Sequence, residues 1–453
     1  MKRRDFLASA ALFGAGTTLG VTPLAMTSCE KKQSSTNLKN YTPEELQMFT
    51  FSEIAPDGKP LKAALIGCGD RGTGAATQFL KAGPNVSIIA LVDVLPDRMK
   101  RCHEILKNEF NNDVPEANCF MGFDAYKKVL EMSDIDVVLL CTPTHFRPEQ
   151  FKASVDAGKH IFMEKPCAID PTGIRTVIAA SKAATAKGLT IITGNQRRHR
   201  RDYWEAFIQV KNGLIGDIVS SSAHWNQGAW WNKYKRPEWS DMEYCIRNWF
   251  NIKWLSGDHI LDQAIHNIDV VTWFMEDRPI QAVGYGGRAQ RLTGDIYDFF
   301  SVDYYYNNNK KMLATARQID GCDGNVSEQV YGTKGVAKLN DSGNIELIDY
   351  NGNKLWSYDY EGKPVKNPYE QEHIHLVESI RQGKKINQAE SLAYSTQVAI
   401  MGREAAYTGK AITWDEIMAS TLRYGPEKYE MGALPDYHEG VAPKPGKAPN
   451  NPM

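Results

Sequence analysis

A glycine-rich turn between a predicted strand and a predicted helix is the feature that most limits what this chain folds into. The apolar run at residues 60–66 leads directly into a G-x-G-x-x-G turn at residues 67–72, and a helical pattern follows through residue 80. A second apolar run at residues 86–92 ends at an acid, Asp93, about twenty residues after the turn. This order predicts a βαβ unit, and hence a sheet of parallel strands flanked by helices.

The glycines of the turn have separate predicted roles in holding a dinucleotide. Gly67 allows the tight turn, Gly69 lets the backbone approach a pyrophosphate, and Gly72 lets the helix pack closely on the strand. Asp70 and Arg71 begin the helix, whose N-terminus offers N–H donors and a positive dipole to phosphate oxygens. From the motif alone, the alternative is a glycine-rich turn of some other α/β fold.

The acid at the end of the second strand predicts which dinucleotide binds. Asp93 is placed to accept hydrogen bonds from ribose hydroxyls and to repel a 2′-phosphate. Two nearby cations, Arg71 and Arg98, weaken that preference. The sequence therefore predicts NAD as the cofactor and favours it over NADP.

The alternation of strands and helices continues beyond this first unit. Apolar runs at residues 135–141, 160–163 and 191–194 predict further parallel strands, separated by helical segments. Because ligands bind beyond the carboxyl ends of such strands, the residues that follow two of these runs are candidate cofactor contacts. These candidates are Thr142, Pro143, Glu164 and Lys165. The N-terminal part of the chain is therefore predicted to be a doubly wound Rossmann fold.

Four motifs occur along the chain in a specific order. They are the glycine turn, Thr142-Pro143, Glu164-Lys165-Pro166 and the segment at residues 262–269. In this order and spacing the chain resembles the glucose–fructose oxidoreductase/inositol dehydrogenase superfamily (Gfo/Idh/MocA), over roughly residues 60–414.

The resemblance implies an α/β protein with two domains. It places a Rossmann domain at residues 60–195 and a C-terminal α/β domain, built on a mostly antiparallel sheet, at residues 196–414. Residues 415–453 are then a C-terminal extension. Its tail from Gly440 is rich in proline, glycine, lysine and asparagine, and is expected to be disordered or to lie along the surface.

The resemblance also implies the catalytic residues. Lys165 is expected near the nicotinamide and the substrate hydroxyl, His266 is expected to act as general base, and Asp262 to orient that histidine. Elementary chemistry agrees, because a histidine titrates near neutrality and an ammonium stabilises a developing alkoxide. Residues four apart share a helix face, so Asp262 and His266 are expected to meet. Ala264 stands where many members have glycine, which leaves a different role for Asp262 open.

Substrate contacts are expected from two segments. Arg197 and Arg198 follow the last Rossmann strand, at a corner that faces the substrate in relatives; an interdomain ion pair is the equal alternative. Residues 225–254 are rich in tryptophan and amide side chains, which suits the stacking and hydrogen bonding of a carbohydrate. Trp225 and Trp231 are the candidates here, although such aromatic residues also serve in cores and interfaces.

The first residues of the chain predict export. Arg3 and Arg4 precede an apolar stretch, so residues 1–29 are expected to be a twin-arginine (Tat) signal that carries a folded protein to the periplasm. The alternative is an amphipathic or buried N-terminal helix. Small residues before Cys29 resemble a bacterial lipobox, which would give a lipid anchor in the membrane; the alternative is that Cys29 is part of a cleaved or disordered leader. Residues 30–59 are expected to be a linker. Because nicotinamide dinucleotides are made in the cytoplasm, an exported enzyme should hold its cofactor tightly.

Charge and composition exclude some classes of partner. The formal net charge is −1, so no global field recruits nucleic acid or an acidic membrane surface. The ten histidines show no clustered metal-binding signature, so no metal is expected. Members of the superfamily are often dimers or tetramers through the second sheet, and the resemblance therefore implies a homo-oligomer.

Three functions are compatible with these features. The leading hypothesis is an NAD(P)-dependent oxidoreductase that oxidises or reduces a hydroxyl or carbonyl group of a sugar, glycoside or polyol with tightly bound cofactor. The second is an NAD-dependent glycoside hydrolase that uses transient oxidation and elimination, as some members of the superfamily do. The third is a non-catalytic sugar-binding lipoprotein, against which the intact lysine, histidine and glycine turn argue. A net redox change in the product distinguishes the first from the second.

Overall fold

The first sheet is built from the segments that the alternating pattern predicts. The computed structural model describes residues 40–446. Within that range the strands of this sheet are β1 (Leu61–Ile66), β2 (Val86–Asp93), β3 (Cys119–Met121), β4 (Val137–Leu140), β5 (His160–Met163) and β6 (Ile191–Thr193). The helices between them are α1 (Asp70–Lys81), α2 (Pro96–Phe110), α3 (Tyr126–Glu131), α4 (Arg147–Asp156) and α5 (Pro171–Lys187).

The strand order of this sheet confirms the predicted doubly wound fold. All neighbours are parallel, in the order β3-β2-β1-β4-β5-β6. The order reverses between β1 and β4, which opens a crevice at their carboxyl ends. Helices cover both faces, and for that reason β4 is buried at every residue and its sequence does not alternate.

Two predictions made from the start of the chain fall outside the described residues. These are the Tat signal at residues 1–29 and the lipobox cysteine, Cys29. Residues 30–39 of the predicted linker lie outside them as well. Among residues 40–446, no helix is long and apolar enough to cross a membrane.

The second domain follows a short 3₁₀ turn at Gln196–His199. Its helices are α6 (Arg201–Lys211), α7 (Asp241–Arg247), α8 (Lys253–Ser256), α9 (His259–Asp262) and α10 (Ile265–Met275), with α11 (Pro368–Arg381), α12 (Ala389–Thr408) and α13 (Trp414–Ala419) near the end of the chain. Its strands are β7 (Ile218–Gln227), β8 (Gln281–Gly287), β9 (Phe299–Tyr305), β10 (Lys311–Gln318), β11 (Asn325–Gly332), β12 (Gly335–Asn340), β13 (Glu346–Asp349), β14 (Lys354–Ser357) and β15 (Ile412–Thr413).

These strands form one sheet, in the order β14-β13-β12-β11-β7-β10-β9-β8-β15. Among the described strands of this second sheet, only the β7–β10 pair is parallel, so the predicted mostly antiparallel sheet is confirmed. One face packs against α10 and α12. The other face carries the exposed side chains of Val283, Tyr285 and Leu313. A sheet that is covered on one side only explains the alternation along β9 and β10.

Helix α11 and the segment that follows it return to the first domain. Helix α11 packs against α1 and the edge strand β6, where Ile374 and Val377 join the core of the parallel sheet. Residues 386–388 continue along β6, because Ile191 exchanges backbone hydrogen bonds with Ile386 and Gln388. The edge of the Rossmann sheet is therefore covered by residues that lie nearly 200 positions later in the sequence.

Helix α12 lies so close to the second sheet that one position in it excludes a side chain. A Cβ at Gly402 would lie 2.0 Å from the hydroxyl oxygen of Tyr304 on β9. That hydroxyl donates a hydrogen bond to the carbonyl of Val398, one turn earlier in the same helix, at 2.9 Å. The glycine and the tyrosine together set the distance between helix and sheet.

Replacing Gly402 tests this packing. G402A forces Tyr304 or the helix to move, and we expect it to lower the free energy of unfolding by about 1–3 kcal/mol in urea denaturation. Y304F removes the hydroxyl, so it should restore part of that loss in the double variant. The control is G324A in an exposed loop, with an expected change within about 0.5 kcal/mol. Equal stability of G402A and G324A contradicts the packing argument.

Candidate active site

The glycine turn brings β1, β4 and α1 together at the point where the strand order reverses. Gly67 has a φ of +99°, and a Cβ there would lie 2.7 Å from the carbonyl carbon of Cys141. A Cβ at Gly72 would lie 1.8 Å from the carbonyl oxygen of Gly67. Any larger residue at either position would separate the helix from the strands, so both predicted glycine roles follow from sterics.

The third glycine of the motif opens onto a cavity. No atom of the described residues lies within 4 Å of a Cβ built at Gly69, and this residue is the N-cap of α1. Asp70, Arg71 and Gly72 form the first turn, so their N–H groups have no earlier residue of the helix as acceptor. A bare backbone with N–H donors at a helix N-terminus fits a pyrophosphate.

The cavity has a volume of about 890 Å³ and is lined by both domains. The first domain contributes the glycine turn, Asp93, Thr142, Pro143, Glu164 and Lys165 to its wall, and the second contributes Trp225, Trp230, Trp231, Asp262 and His266. The sequence motifs that lie far apart along the chain are therefore brought to one space, which is large enough for a dinucleotide and a small second molecule.

Asp93 ends β2 at the rim of this cavity. Its carboxylate accepts hydrogen bonds from the backbone N–H groups of Cys68, Val94 and Leu95, at 2.7, 2.7 and 2.8 Å. Burial raises the pKa of this carboxyl, and the three N–H groups act in the opposite direction. The side chain is thereby fixed beside the glycine turn, where an acid receives the ribose of a dinucleotide.

Arg71 and Glu164, both predicted as cofactor contacts, are bound to each other. The guanidinium of Arg71 pairs with Glu164 and, at 3.0 Å, with Glu372 of α11, while both carboxylates are buried. Burial raises the pKa of Glu372 well above its usual value. Burial acts in the same direction on Glu164, but the charges of Arg71 and Lys165 outweigh it and lower the pKa of that carboxyl.

Lys165 reaches from the first domain to the second. Its ammonium donates a hydrogen bond to the backbone carbonyl of Asp262 at 2.6 Å and lies 3.9 Å from the Asp262 carboxylate. That carboxylate also accepts from the side-chain amide of Gln263 at 3.0 Å. The lysine is thus held at the domain junction, pointing into the cavity.

The expected contact between Asp262 and His266 is not formed in the described structure. Helix α9 ends at Asp262 and α10 begins at Ile265, so the two side chains are not on successive turns of one helix. The carboxylate bonds to Gln263 and faces Lys165 instead. The prediction that these residues meet on a helix face is wrong because the chain turns between them.

His266 lies on the cavity wall beside Trp225, with ring centroids 5.3 Å apart. Burial lowers the pKa of this imidazole well below its usual 6.5, and the positive charges of Lys165 and Arg197 lower it further. The ring is therefore neutral at physiological pH and able to accept a proton.

Arg197 and Arg198 lie away from the cavity wall. Arg197 is buried and ion-paired with Glu328 of β11, and Arg198 makes two hydrogen bonds to Asp269 of α10, at 2.7 and 3.0 Å. Both partners belong to the second domain, so these are not the alternative interdomain pairs, and neither arginine is among the residues that line the cavity. Each guanidinium is paired with a carboxylate, and each pair holds the turn at residues 196–199 against the second domain.

The predicted tryptophans do reach the cavity. Trp225 of β7 and Trp231 of the following loop both line it, as do Trp230 and the buried Phe250, whose ring centroid lies 6.2 Å from that of Trp230 and 5.7 Å from that of Trp231. The Trp225 ring contacts both His266 and the Arg197 guanidinium, whose centre is 5.6 Å from the ring centroid. An aromatic face beside a neutral base suits the C–H face of a sugar ring.

Sequence reasoning missed Tyr369 and Glu372, both on α11. Tyr369 lines the cavity, its ring lies 4.9 Å under the Arg71 guanidinium, and its hydroxyl accepts a hydrogen bond from Gln196 at 3.3 Å. No local motif marks either residue, because each meets its partners only after the chain has crossed the second domain and returned.

Comparison with known families assigns both domains. The profile described as "Oxidoreductase family, NAD-binding Rossmann fold" matches residues 61–192. The profile described as "Oxidoreductase family, C-terminal alpha/beta domain" matches residues 208–413. The two matches together cover most of the chain.

Curated relatives match parts of the chain. A glycosyl hydrolase family 109 protein of Porphyromonas gingivalis is 35% identical over 137 residues, which are 30% of this chain and 28% of that protein. The uncharacterized oxidoreductase YrbE of Bacillus subtilis is 24% identical over 291 residues, 63% of this chain and 75% of that protein. The match therefore spans less than a third of the Porphyromonas gingivalis relative.

Solved structures share the fold at low identity. The aldose-aldose oxidoreductase of Caulobacter crescentus, complexed with glycerol, superposes with a TM-score of 0.61 at 18% identity, over 78% of this chain and 100% of that one. The scyllo-inositol dehydrogenase of Lactobacillus casei, with bound NAD(H) and scyllo-inositol, gives 0.59 at 20% identity, over 78% and 99%. With its glycine turn, its two sheets and both family profiles in agreement, this chain belongs to the Gfo/Idh/MocA oxidoreductase family and carries that family's NAD-binding Rossmann domain.

Proposed function

We propose that this protein is an NAD-dependent oxidoreductase that transfers hydride between the nicotinamide and a carbinol carbon of a sugar or polyol. One observation carries the proposal. Lys165 of the first domain and His266 of the second line the same cavity as the glycine turn, with tryptophan rings beside them. A cation, a neutral base and a dinucleotide cradle around one space are the parts that this reaction needs.

The roles of the side chains follow from their protonation and contacts. The glycine turn and Asp93 would hold NAD, which would supply a hydride acceptor for oxidation of the carbinol carbon and, in its reduced form, a hydride donor for the reverse reaction. His266, neutral because it is buried beside cations, takes the hydroxyl proton. The Lys165 ammonium stabilises the negative charge that grows on the same oxygen. Asp262 positions Lys165 through its backbone carbonyl rather than orienting the histidine.

The tryptophan side chains that line the cavity, Trp225, Trp230 and Trp231, are here called the aromatic wall. This wall supports a carbohydrate or polyol as substrate. Trp225 and Trp231 offer ring faces, while Tyr369 and Gln263 offer hydrogen-bonding groups within the same cavity. The scyllo-inositol dehydrogenase and aldose-aldose oxidoreductase structures, which share this fold, act on polyols or sugars by their names.

A second candidate is a glycoside hydrolase that works by transient oxidation. Several relatives are glycosyl hydrolase family 109 proteins, which supports this alternative. The same Lys165, His266 and NAD would serve such a reaction, in which the glycoside is oxidised, the aglycone is eliminated, water adds to the resulting unsaturated ketone and the hydride is returned. Its product carries no net redox change, whereas the product of the leading candidate does.

We further propose that the protein works outside the cytoplasm as a homo-oligomer. The twin arginines of the leader support Tat export, and Cys29 supports a lipid anchor. The exposed Val283, Tyr285 and Leu313 on the open face of the second sheet support a contact between copies there. Because NAD is made in the cytoplasm, an exported enzyme would need to hold its dinucleotide tightly.

The first experiment identifies both the bound cofactor and the class of substrate. Protein purified without added dinucleotide is denatured, and the released nucleotide is identified; native protein is then titrated with sugars, polyols and glycosides while absorbance at 340 nm is recorded. We expect the purified protein to contain NAD or to bind added NAD. We also expect the absorbance at 340 nm to rise when one class of sugar is added. Aglycone release without a lasting change at 340 nm supports the hydrolase, and failure to bind NAD or NADP contradicts both.

Substitution of the two central residues tests their roles. H266N removes the base and should lower kcat by about 10²–10⁴-fold, and K165M removes the ammonium and should lower it by about 10²–10³-fold. NAD binding, followed by fluorescence titration, should change far less. The controls are His103→Asn on α2 and the exposed Lys128→Met, which lie outside the cavity and should keep wild-type kcat. Full activity of H266N contradicts the assignment.

The lowered pKa of His266 predicts the pH dependence of oxidation. As pH falls, protonation removes the base, so kcat/KM should decline only below pH 6.5, the usual value for histidine. The residual activity of H266N should lack this acidic limb. An acidic limb of the wild-type protein centred at or above pH 6.5 contradicts a buried, cation-flanked base.

A further inference from the structure

We propose that residues 420–443, here called the C-terminal strap, fasten the two domains over the dinucleotide cleft and slow the release of bound NAD. The inference rests on the proposed NAD-dependent function. The strap begins beyond residue 413, where the match to the family's C-terminal domain ends. It lies outside both family matches and needs its own physical account.

The strap starts on the first domain. The guanidinium of Arg175 on α5 donates to the backbone carbonyl of Ser420 at 2.7 Å, and the Thr172 hydroxyl donates to the carbonyl of Leu422 at 3.1 Å. The backbone N–H of Tyr424 donates to the carboxylate of Asp170, the N-cap of α5, at 3.1 Å.

The middle of the strap supports the wall of the cleft. The Tyr429 hydroxyl shares a hydrogen bond with His145 at 2.7 Å, and its ring lies 5.5 Å from that of Phe146 and 6.2 Å from that of Phe123. Phe123 and Phe146 line the cavity from the first domain. At Gly425, with φ of +105°, a Cβ would lie 2.7 Å from the His145 ring, so the strap follows this wall closely.

The end of the strap is bound to the second domain. The Leu434 N–H donates to Asp241 of α7 at 3.0 Å. The Glu439 carboxylate accepts from the Tyr244 hydroxyl at 3.0 Å and from the Gly294 N–H at 2.6 Å. One continuous segment is thus bonded to α5, to the cleft wall and to α7, so it links both sides of the cleft.

Helix α7 is also the element that closes the cleft beside Asp93. Its Arg247 makes two hydrogen bonds of 2.9 Å to Asp97 of α2, and both residues line the cavity next to Arg98. Lys233 of the second domain lines the same end. A dinucleotide whose ribose sits at Asp93 leaves only when α7 separates from α2, and the strap opposes that separation.

The test measures the release of NAD from the full-length protein. Wild-type protein loaded with radiolabelled NAD is diluted into excess unlabelled NAD, and the label that remains bound is followed in time. Y429F/E439Q removes a hydrogen bond at the cleft wall and weakens the strap's anchor on the second domain; we expect release about tenfold faster. Y429F alone, which keeps the ring packing, should be intermediate. The matched control is the exposed Glu430→Gln in the same strap, with the wild-type rate.

The outcomes separate this proposal from the proposed function. Faster release in the folded double variant, with an unchanged rate in the control, supports the strap. Stable NAD binding with equal release rates in all the variants overturns the strap and leaves the function intact. A wild-type protein that binds no NAD overturns the function and the strap with it. Thermal unfolding of each variant identifies any loss of folding. If the double variant does not fold, the rate of NAD release from Y429F alone tests the proposal.

Discussion

The Arg71 guanidinium, which is partly exposed, holds together the three segments that carry the site. It stands at the start of α1, pairs with Glu164 after β5, and pairs with Glu372 on α11. Both carboxylates are buried, so removal of Arg71 would leave them without their cation and destabilise this junction. Because Lys165 directly follows Glu164, the same contacts that fix the glycine turn also fix the lysine.

The two domains divide the chemistry between them. The first presents the glycine turn and the cation Lys165; the second presents His266 and the aromatic wall. They meet where the Lys165 ammonium binds the carbonyl of Asp262. One charge then has two effects, since the ammonium that stabilises a developing alkoxide also lowers the pKa of the neighbouring imidazole and keeps it a base.

Local motifs predicted the Rossmann domain because its signal is sequential. Strand, glycine turn, helix and Asp93 occur within one short stretch, and sterics at Gly67 and Gly72 require those residues. The second domain followed only from resemblance, which gave the sheet but not its contacts. The expected meeting of Asp262 and His266 failed because the chain turns between α9 and α10, and Arg197 proved to be the partner of the distant Glu328.

Sequence patterns did not predict Tyr369 and Glu372, because the partners of these residues also lie far away along the chain. Helix α11 belongs to the second half of the chain but packs on the first sheet, so the pairing of Glu372 with Arg71 spans 301 residues.

The most direct measurement of the central claim is a crystal structure with NAD and a sugar or polyol. It should place the pyrophosphate at Gly69 and the substrate oxygen between Lys165 and His266. A dinucleotide bound elsewhere, or a nicotinamide remote from both side chains, would contradict the account.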